Sequence, residues 1–267
     1  MIQLSDHFTC GRLLRFTLPS VVMMIFTSIY GVVDGFFVSN FAGKTPFAAV
    51  NFIMPVLMIL GCAGFMFGTG GGALISRTMG EGNPGKANET FSMLVWLSGA
   101  LGVVIAVLGF LFLPALAVLL GAEGELLSNC VLYGRTVLLA LPFYILQYEF
   151  QCLFATAEKP KLGLYITVAS GLVNMVLDAL FVAVFRWGLP GAAAATALSQ
   201  LAGGVIPLFY FGRENTSRLR LVPFKFDGKA LRKVCSNGAS ELMSNISMSI
   251  VSMLYNIQLI KYAGEDG

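Results

Sequence analysis

An all-α integral membrane protein is the fold class this sequence predicts, and three observations predict it. Only 12% of its 267 residues are charged, 57% are hydrophobic, and mean hydropathy is +0.80. A soluble domain carries about 25% charged residues. Residues 45–76, 90–122 and 187–212 hold no charged side chain, and apolar runs beyond about 18 residues read as membrane spans. The 30 glycines suit helices that approach one another closely in a bilayer.

Seven spans follow in order. The first covers 14–38, and its apolar run from Phe16 is too long for a cleavable leader and contains an acid. The second, 46–76, exceeds the ~20 residues a crossing needs and so extends beyond the lipid. The third, 89–113, follows the turn residues Asn83, Pro84 and Gly85. The fourth covers 130–155, the fifth 161–185, the sixth 190–212 and the seventh 237–262. Pro19, Pro55, Pro142 and Pro207 fall inside or near the starts of spans, where neighbouring helices re-satisfy the freed carbonyls. The five cysteines, Cys10, Cys62, Cys130, Cys152 and Cys235, are scattered and form neither a disulfide framework nor a zinc pattern.

Basic residues set the orientation. With the N-terminus inside, the inner segments hold 13 of the 17 lysines and arginines. The outer side holds the other four, Lys44, Arg135, Arg186 and Lys261. Seven of the inner residues lie in the loop 213–236. Such a loop could bind anionic lipid or nucleic acid, but the positive-inside rule already accounts for it as a solvated cytoplasmic linker. The start and end of span seven, SNGAS and KYAG, echo LRFTLPS and NFAG of span one at nearly the same separation. This fits the start of a second structural repeat, and the sequence reads as truncated at Gly267.

One motif misleads. Residues 80–87, GEGNPGKA, contain G-x-G-x-x-G and nearly a phosphate-binding loop. The hydroxyl needed after Lys86 is replaced by Ala87, and a span, not a strand, precedes it. It is a turn between spans. The single His7 has no partner, and no Ser-His-Asp or metal-ligand cluster appears. Neither an enzyme nor a resident cofactor is expected.

Four acids fall inside spans: Asp34, Glu149, Asp178 and Glu241. Each costs about 2.5–3.5 kcal/mol at the bilayer centre, so each needs a function or a partner. Asp34 lies 19 residues after Arg15, about 28 Å along its helix. Asp178 lies 17 after Lys161 and Thr196 lies 17 before Arg213, about 26 Å in each case. Asn174 precedes Asp178 by four, on the same helix face. These oxygens reach one depth on three helices. They could hold Na⁺ together, or the two carboxyls could share a proton; alternatively, each acid is bonded separately to a neighbouring helix. Glu241, near the inner end of span seven, is either a second cation site or a residue facing cytoplasmic water. Glu149 reads as a polar helix end near the interface. Met23, Met24, Tyr30, Met54 and Phe65 suit a pocket for flat cations, and equally suit lipid contact and helix packing.

At these residues the sequence resembles the MATE (multidrug and toxic compound extrusion) family. The matching stretches are LPSVVMMIFTSIYGVVDGFFVSNFAG, GGGALISRTMGEGNPGKANE, FATAEKPK, NMVLDALFV and GLPGAAAATALSQ. The resemblance implies a two-lobe transporter of about twelve helices. This chain would supply a six-helix N-lobe over 1–212, an inter-lobe loop over 213–236, and the first helix of a missing C-lobe over 237–267. It implies a secondary antiporter, multi-pass in a prokaryotic inner (plasma) membrane, that exports organic cations in exchange for Na⁺ or H⁺. The family's N-lobe cation site matches Asp34, Asn174, Asp178 and Thr196, and Glu241 matches a second-lobe acid. Two other readings compete with this one. A lipid-linked oligosaccharide flippase of the same superfamily would be expected to carry more basic residues in its cavity. A non-transporting seven-helix membrane protein gives no reason for acids matched in depth.

Overall fold

In the computed structural model, residues 10–263 are described, and helices account for nearly all of them. His7 and the terminal Gly264–Gly267 lie outside the described residues, as does the last glycine of the KYAG echo. The chain enters as α1 (Cys10–Phe37), which widens into a π-helical segment, Val38–Ala42. Helices α2 (Lys44–Gly61) and α3 (Ala63–Gly80) follow, joined at Cys62. Next come α4 (Pro84–Leu119), α5 (Gly124–Leu138) and α6 (Leu141–Thr156). Helix α7 (Pro160–Asp178) runs into a second π segment, Ala179–Val184, and is followed by α8 (Leu189–Gly212) and α9 (Gly228–Ala263).

The segments Thr17–Ala42, Lys44–Gly80, Pro84–Leu119, Pro160–Val184 and Leu189–Gly212 are each long and apolar enough to cross a membrane. The fourth predicted span is not one straight helix. It is α5 and α6, bent by 59° and together apolar enough for a sixth crossing. Pro142 sits in the first turn of α6, where its missing N–H has no acceptor to satisfy. The seventh element is a 36-residue helix. It does not reach the apolarity of the others, because Ser236, Asn237, Ser240, Glu241, Ser244 and Asn245 crowd one stretch. It also starts nine residues before the predicted 237, so the predicted loop 213–236 is irregular only over 213–227.

That loop is less solvated than expected. Arg220 N–H donates to Asn88 Oδ1 at 3.0 Å and Val222 N–H to Ser92 Oγ at 2.8 Å, so the strand of loop is strapped across α4. Leu219 is wholly buried, and Arg218 pairs with Glu158 at 3.2 Å. The GEGNPGKA stretch is the end of α3, a tight turn and the first turn of α4, where Asn83 Oδ1 caps Lys86 N–H.

Two apolar cores fill the bundle. One gathers Val38, Ile53, Leu113, Tyr133, Leu138, Val182 and Ala192 near the π segments. The other lies toward the loop, where Phe91, Phe150, Phe154 and Phe211 interlock with ring centroids 5.0–6.3 Å apart. Aromatic pairs at such separations add to simple burial. Between these cores the walls differ. Helix α3 lies against α6 and α9 through glycines. A Cβ on Gly64 would meet the Ile145 carbonyl, one on Gly70 the Val234 carbonyl, and one on Gly238 the Met66 carbonyl. Only backbones without side chains approach that closely.

Candidate functional site

Opposite that glycine wall, α1, α2, α5, α6, α7 and α8 surround a cavity of about 240 Å³. Its lining includes Tyr30, Asp34, Asn51, Met54, Tyr144, Gln147, Tyr148, Asn174, Thr196 and Gln200. At about 30 Å³ per water, it holds several waters or one small ion with part of its hydration shell.

Local packing brings the polar residues together. Gly171 on α7 lets α1 close in, since a Cβ there would stand 2.6 Å from the Phe26 ring and 3.3 Å from Tyr30. Ser170 Oγ donates to the Ser199 carbonyl at 2.6 Å, tying α7 to α8. Ser199 Oγ bonds back to the Thr196 carbonyl at 2.8 Å, which occupies that hydroxyl and leaves Thr196 Oγ1 free to face inward. Gly203 and Gly204 receive Gln147 and Phe143 of α6.

All four predicted residues of the main site converge. The carboxyls of Asp34 and Asp178 neighbour each other. Asp178 is completely buried behind the cavity, while Asp34, Asn174 and Thr196 reach its surface. Asp34 Oδ1, Asn174 Oδ1, both Asp178 oxygens and Thr196 Oγ1 are all buried without a hydrogen-bond partner. Buried polar atoms are nearly always partnered, so five orphaned oxygens at one place are unusual. Two adjacent carboxylates repel, and a proton or cation between them removes the repulsion. The donor set is all oxygen, which suits a hard cation.

A fifth residue belongs here that the sequence did not single out. Tyr133 of α5 is fully buried, its hydroxyl is unpartnered, and it stands beside Thr196 with both carboxyls close by. A lone aromatic hydroxyl in an apolar span is the only signal that could have found it. Two local features also escape the sequence. Each acid immediately precedes a π segment, Asp34 by four residues and Asp178 by one. π segments of this kind recur at functional sites.

The other two acids lie elsewhere. Glu241 on α9 is half-buried, receives Asn245 Nδ2 at 3.4 Å, and points toward Cys152 of α6 rather than the cavity. Glu149, expected at a polar helix end near the interface, is instead completely buried in the middle of α6.

Comparison with known proteins agrees with this architecture. The MatE family profile matches residues 19–180, more than half of the chain. The multidrug export protein MepA of Staphylococcus haemolyticus is 26% identical over 251 residues, covering 94% of this chain and 56% of that protein. MepA of Staphylococcus aureus strain MRSA252 matches with the same identity and coverage. This chain thus spans about half the length of the curated relatives it matches. Among solved structures, an outward-facing multidrug resistance MATE family transporter of the MOP superfamily superimposes with a TM-score of 0.85 at 24% identity, over 95% of this chain and 56% of that one. A MOP superfamily transporter from Pyrococcus furiosus, described as having a binding pocket of reversed polarity, gives the same values. At that identity the likeness establishes the fold.

Proposed function

We propose, from the premise that this chain belongs to the MatE family, that it forms the N-lobe of a secondary antiporter. In this reading 1–212 is the lobe, 213–227 links it to the next, and α9, from Gly228, begins a C-lobe. The transporter exports small organic cations across the cell membrane in exchange for Na⁺ or H⁺. The N-terminus lies in the cytoplasm, a reading supported by the 13-to-4 division of basic residues. The coupling ion binds among Asp34, Asn174, Asp178 and Thr196, with Tyr133 beside them.

The observation that carries this reading is the convergence of unpartnered buried oxygens on one cavity. A charged pair with nothing to bond is expensive inside a bilayer, and ion binding relieves that cost. The ionised pair attracts a cationic substrate into the cavity, and Na⁺ or H⁺ bound there cancels the attraction. Linkage makes the effect reciprocal. Substrate affinity falls about 5–150-fold between ion-free and ion-saturated conditions, for a typical coupling of about 1–3 kcal/mol.

Asp34→Asn and Asp178→Asn, each made in the protein as its gene encodes it, test the reading. Each should lower efflux of a fluorescent cation at least about tenfold, about 1.4 kcal/mol, with membrane abundance unchanged. The double variant should be no worse than either single, because the residues act as one unit. Normal efflux from Asp34→Asn would overturn the shared site. Titrating substrate binding separately against Na⁺ and pH identifies the ion.

A further inference from the structure

The coupling site leaves one buried acid unused. Glu149 has no exposed surface, and neither of its carboxyl oxygens has a hydrogen-bond partner. Ser98 of α4 stands beside it, likewise wholly buried with its hydroxyl unpartnered. Neither residue lines the cavity, although their neighbours Gln147 and Tyr148 do. This wall gains nothing from an acid as packing, since an apolar side chain of similar volume would fill the space without the insertion cost.

The surroundings decide what could neutralise it. Helix α6 packs against α3, α4, α7 and α8 and touches α2, whose one charged residue, Lys44, begins that helix. From α3 glycine backbone approaches: a Cβ on Gly68 would lie 3.1 Å from Glu149 Cα and 2.9 Å from Cys152 Cβ. From α4 comes Ser98. Helix α8 contains no acid or base apart from Tyr210, and the charged residues of α7, Lys161 and Asp178, lie at its two ends. On α6 itself Cys152 stands next to Glu149, and Glu241 of α9 reaches that same cysteine. No basic side chain is among these groups, so there is no salt bridge. Two carboxyl oxygens and one hydroxyl are too few for a hard cation, which takes about six oxygen ligands. A proton needs only one acceptor, and Ser98 Oγ is positioned to be it.

We propose that Glu149 and Ser98 form a second protonation site, separate from the cavity, reached from α9 past Glu241 and Cys152. The proton resides on a Glu149 oxygen and is donated to Ser98 Oγ, so no bond other than the O–H is made or broken. Helix α9 is held on α3 by the Gly70 and Gly238 contacts, so separation of α9 from α3 would open this approach.

Infrared difference spectroscopy of the purified protein tests this without any transport measurement, so the result is independent of the coupling site proposed above. A protonated-carboxyl stretch should be present at neutral pH. It should survive in the Asp34→Asn, Asp178→Asn double variant, where the coupling pair cannot contribute, and Glu149→Gln added to that background should remove it. Ser98→Ala, which leaves the acid in place, should shift its frequency and serves if the Gln variant fails to fold. An unchanged band on adding Glu149→Gln to that background, or an unshifted one in Ser98→Ala, overturns the proposal. Replacement of the band by a carboxylate signal on adding Na⁺ at fixed pH overturns the proton assignment in favour of a metal ion.

Discussion

Helix α6 has two unlike faces. Tyr144, Gln147 and Tyr148 look onto the cavity, whereas Ile145, Glu149 and Cys152 are packed against the backbone of α3. Both faces carry polar groups, but the cavity lies on the first. The acid on the packed face lies outside it, beside Ser98. The difference teaches that buried charge alone does not define a coupling site; what stands beside the acid decides what can neutralise it.

The largest effects should come from filling the packed face. Gly64→Val and Gly70→Val each place a side chain where a carbonyl of α6 or α9 already stands. Overpacking costs about 1–3 kcal/mol in adaptable cores, and a backbone contact cannot yield as a side chain does. Both variants should lose most folded protein, read as the monodisperse fraction after solubilisation; normal yield would show that the wall is looser than described. Beside the candidate ion site, Tyr133→Phe removes an unpartnered hydroxyl. Relief of that desolvation should raise thermal stability without ions by up to about 1–3 kcal/mol, while stabilisation by the coupling ion weakens. A fall in ion-free stability would mean that the hydroxyl is bonded after all.

Smaller effects sharpen the contrast. Gly31 also borders the cavity, yet a Cβ there would meet nothing within 4 Å. Gly31→Ala should be tolerated and gain about 0.5–1 kcal/mol of helix propensity, measured by thermal unfolding. The smallest effect lies outside the bundle, at the start of α9. Asp227 Oδ1 caps the helix by accepting from Lys229 N–H at 2.9 Å and Ala230 N–H at 3.1 Å. The Ala230 bond first, then Lys229 and the nearby Lys86, hold its carboxyl below the ordinary value. A depressed folded-state value means that the stabilisation is present above the unfolded value of about 3.9. It is lost as pH falls through the lower, folded value. Asp227→Asn should keep the cap and lose this acid-range dependence, seen as a flatter melting temperature against pH.

Much of the fold was legible because charge is so sparse: uncharged runs fix helices, matched distances from basic residues put Asp34, Asp178 and Thr196 at one depth, and the four-residue spacing put Asn174 on the face of Asp178. The structure brings those four together. The bend between α5 and α6 was only half legible, since Pro142 marks a first turn as readily as a kink. The π segments left no trace, because extra backbone residues in a turn carry no side-chain signature. Glu149 was misplaced because distance from Lys159 measures position along a helix and says nothing of which neighbour covers it. The glycines of α3 announce close approach, but not that α6 and α9 are what approaches.

The π segments have one more consequence. An α-helix takes up this wider form when it absorbs an additional residue while both flanks keep their places. Val38–Ala42 and Ala179–Val184 therefore act as stored length, one at the end of α1 and one at the end of α7. Passing a stored residue along the helix turns the part it crosses by about 100°, with the flanking backbone bonds re-formed behind it. Asp34 and Asp178 thus sit next to two swivels, where a side chain can be turned toward or away from its partner without unwinding the helix that carries it.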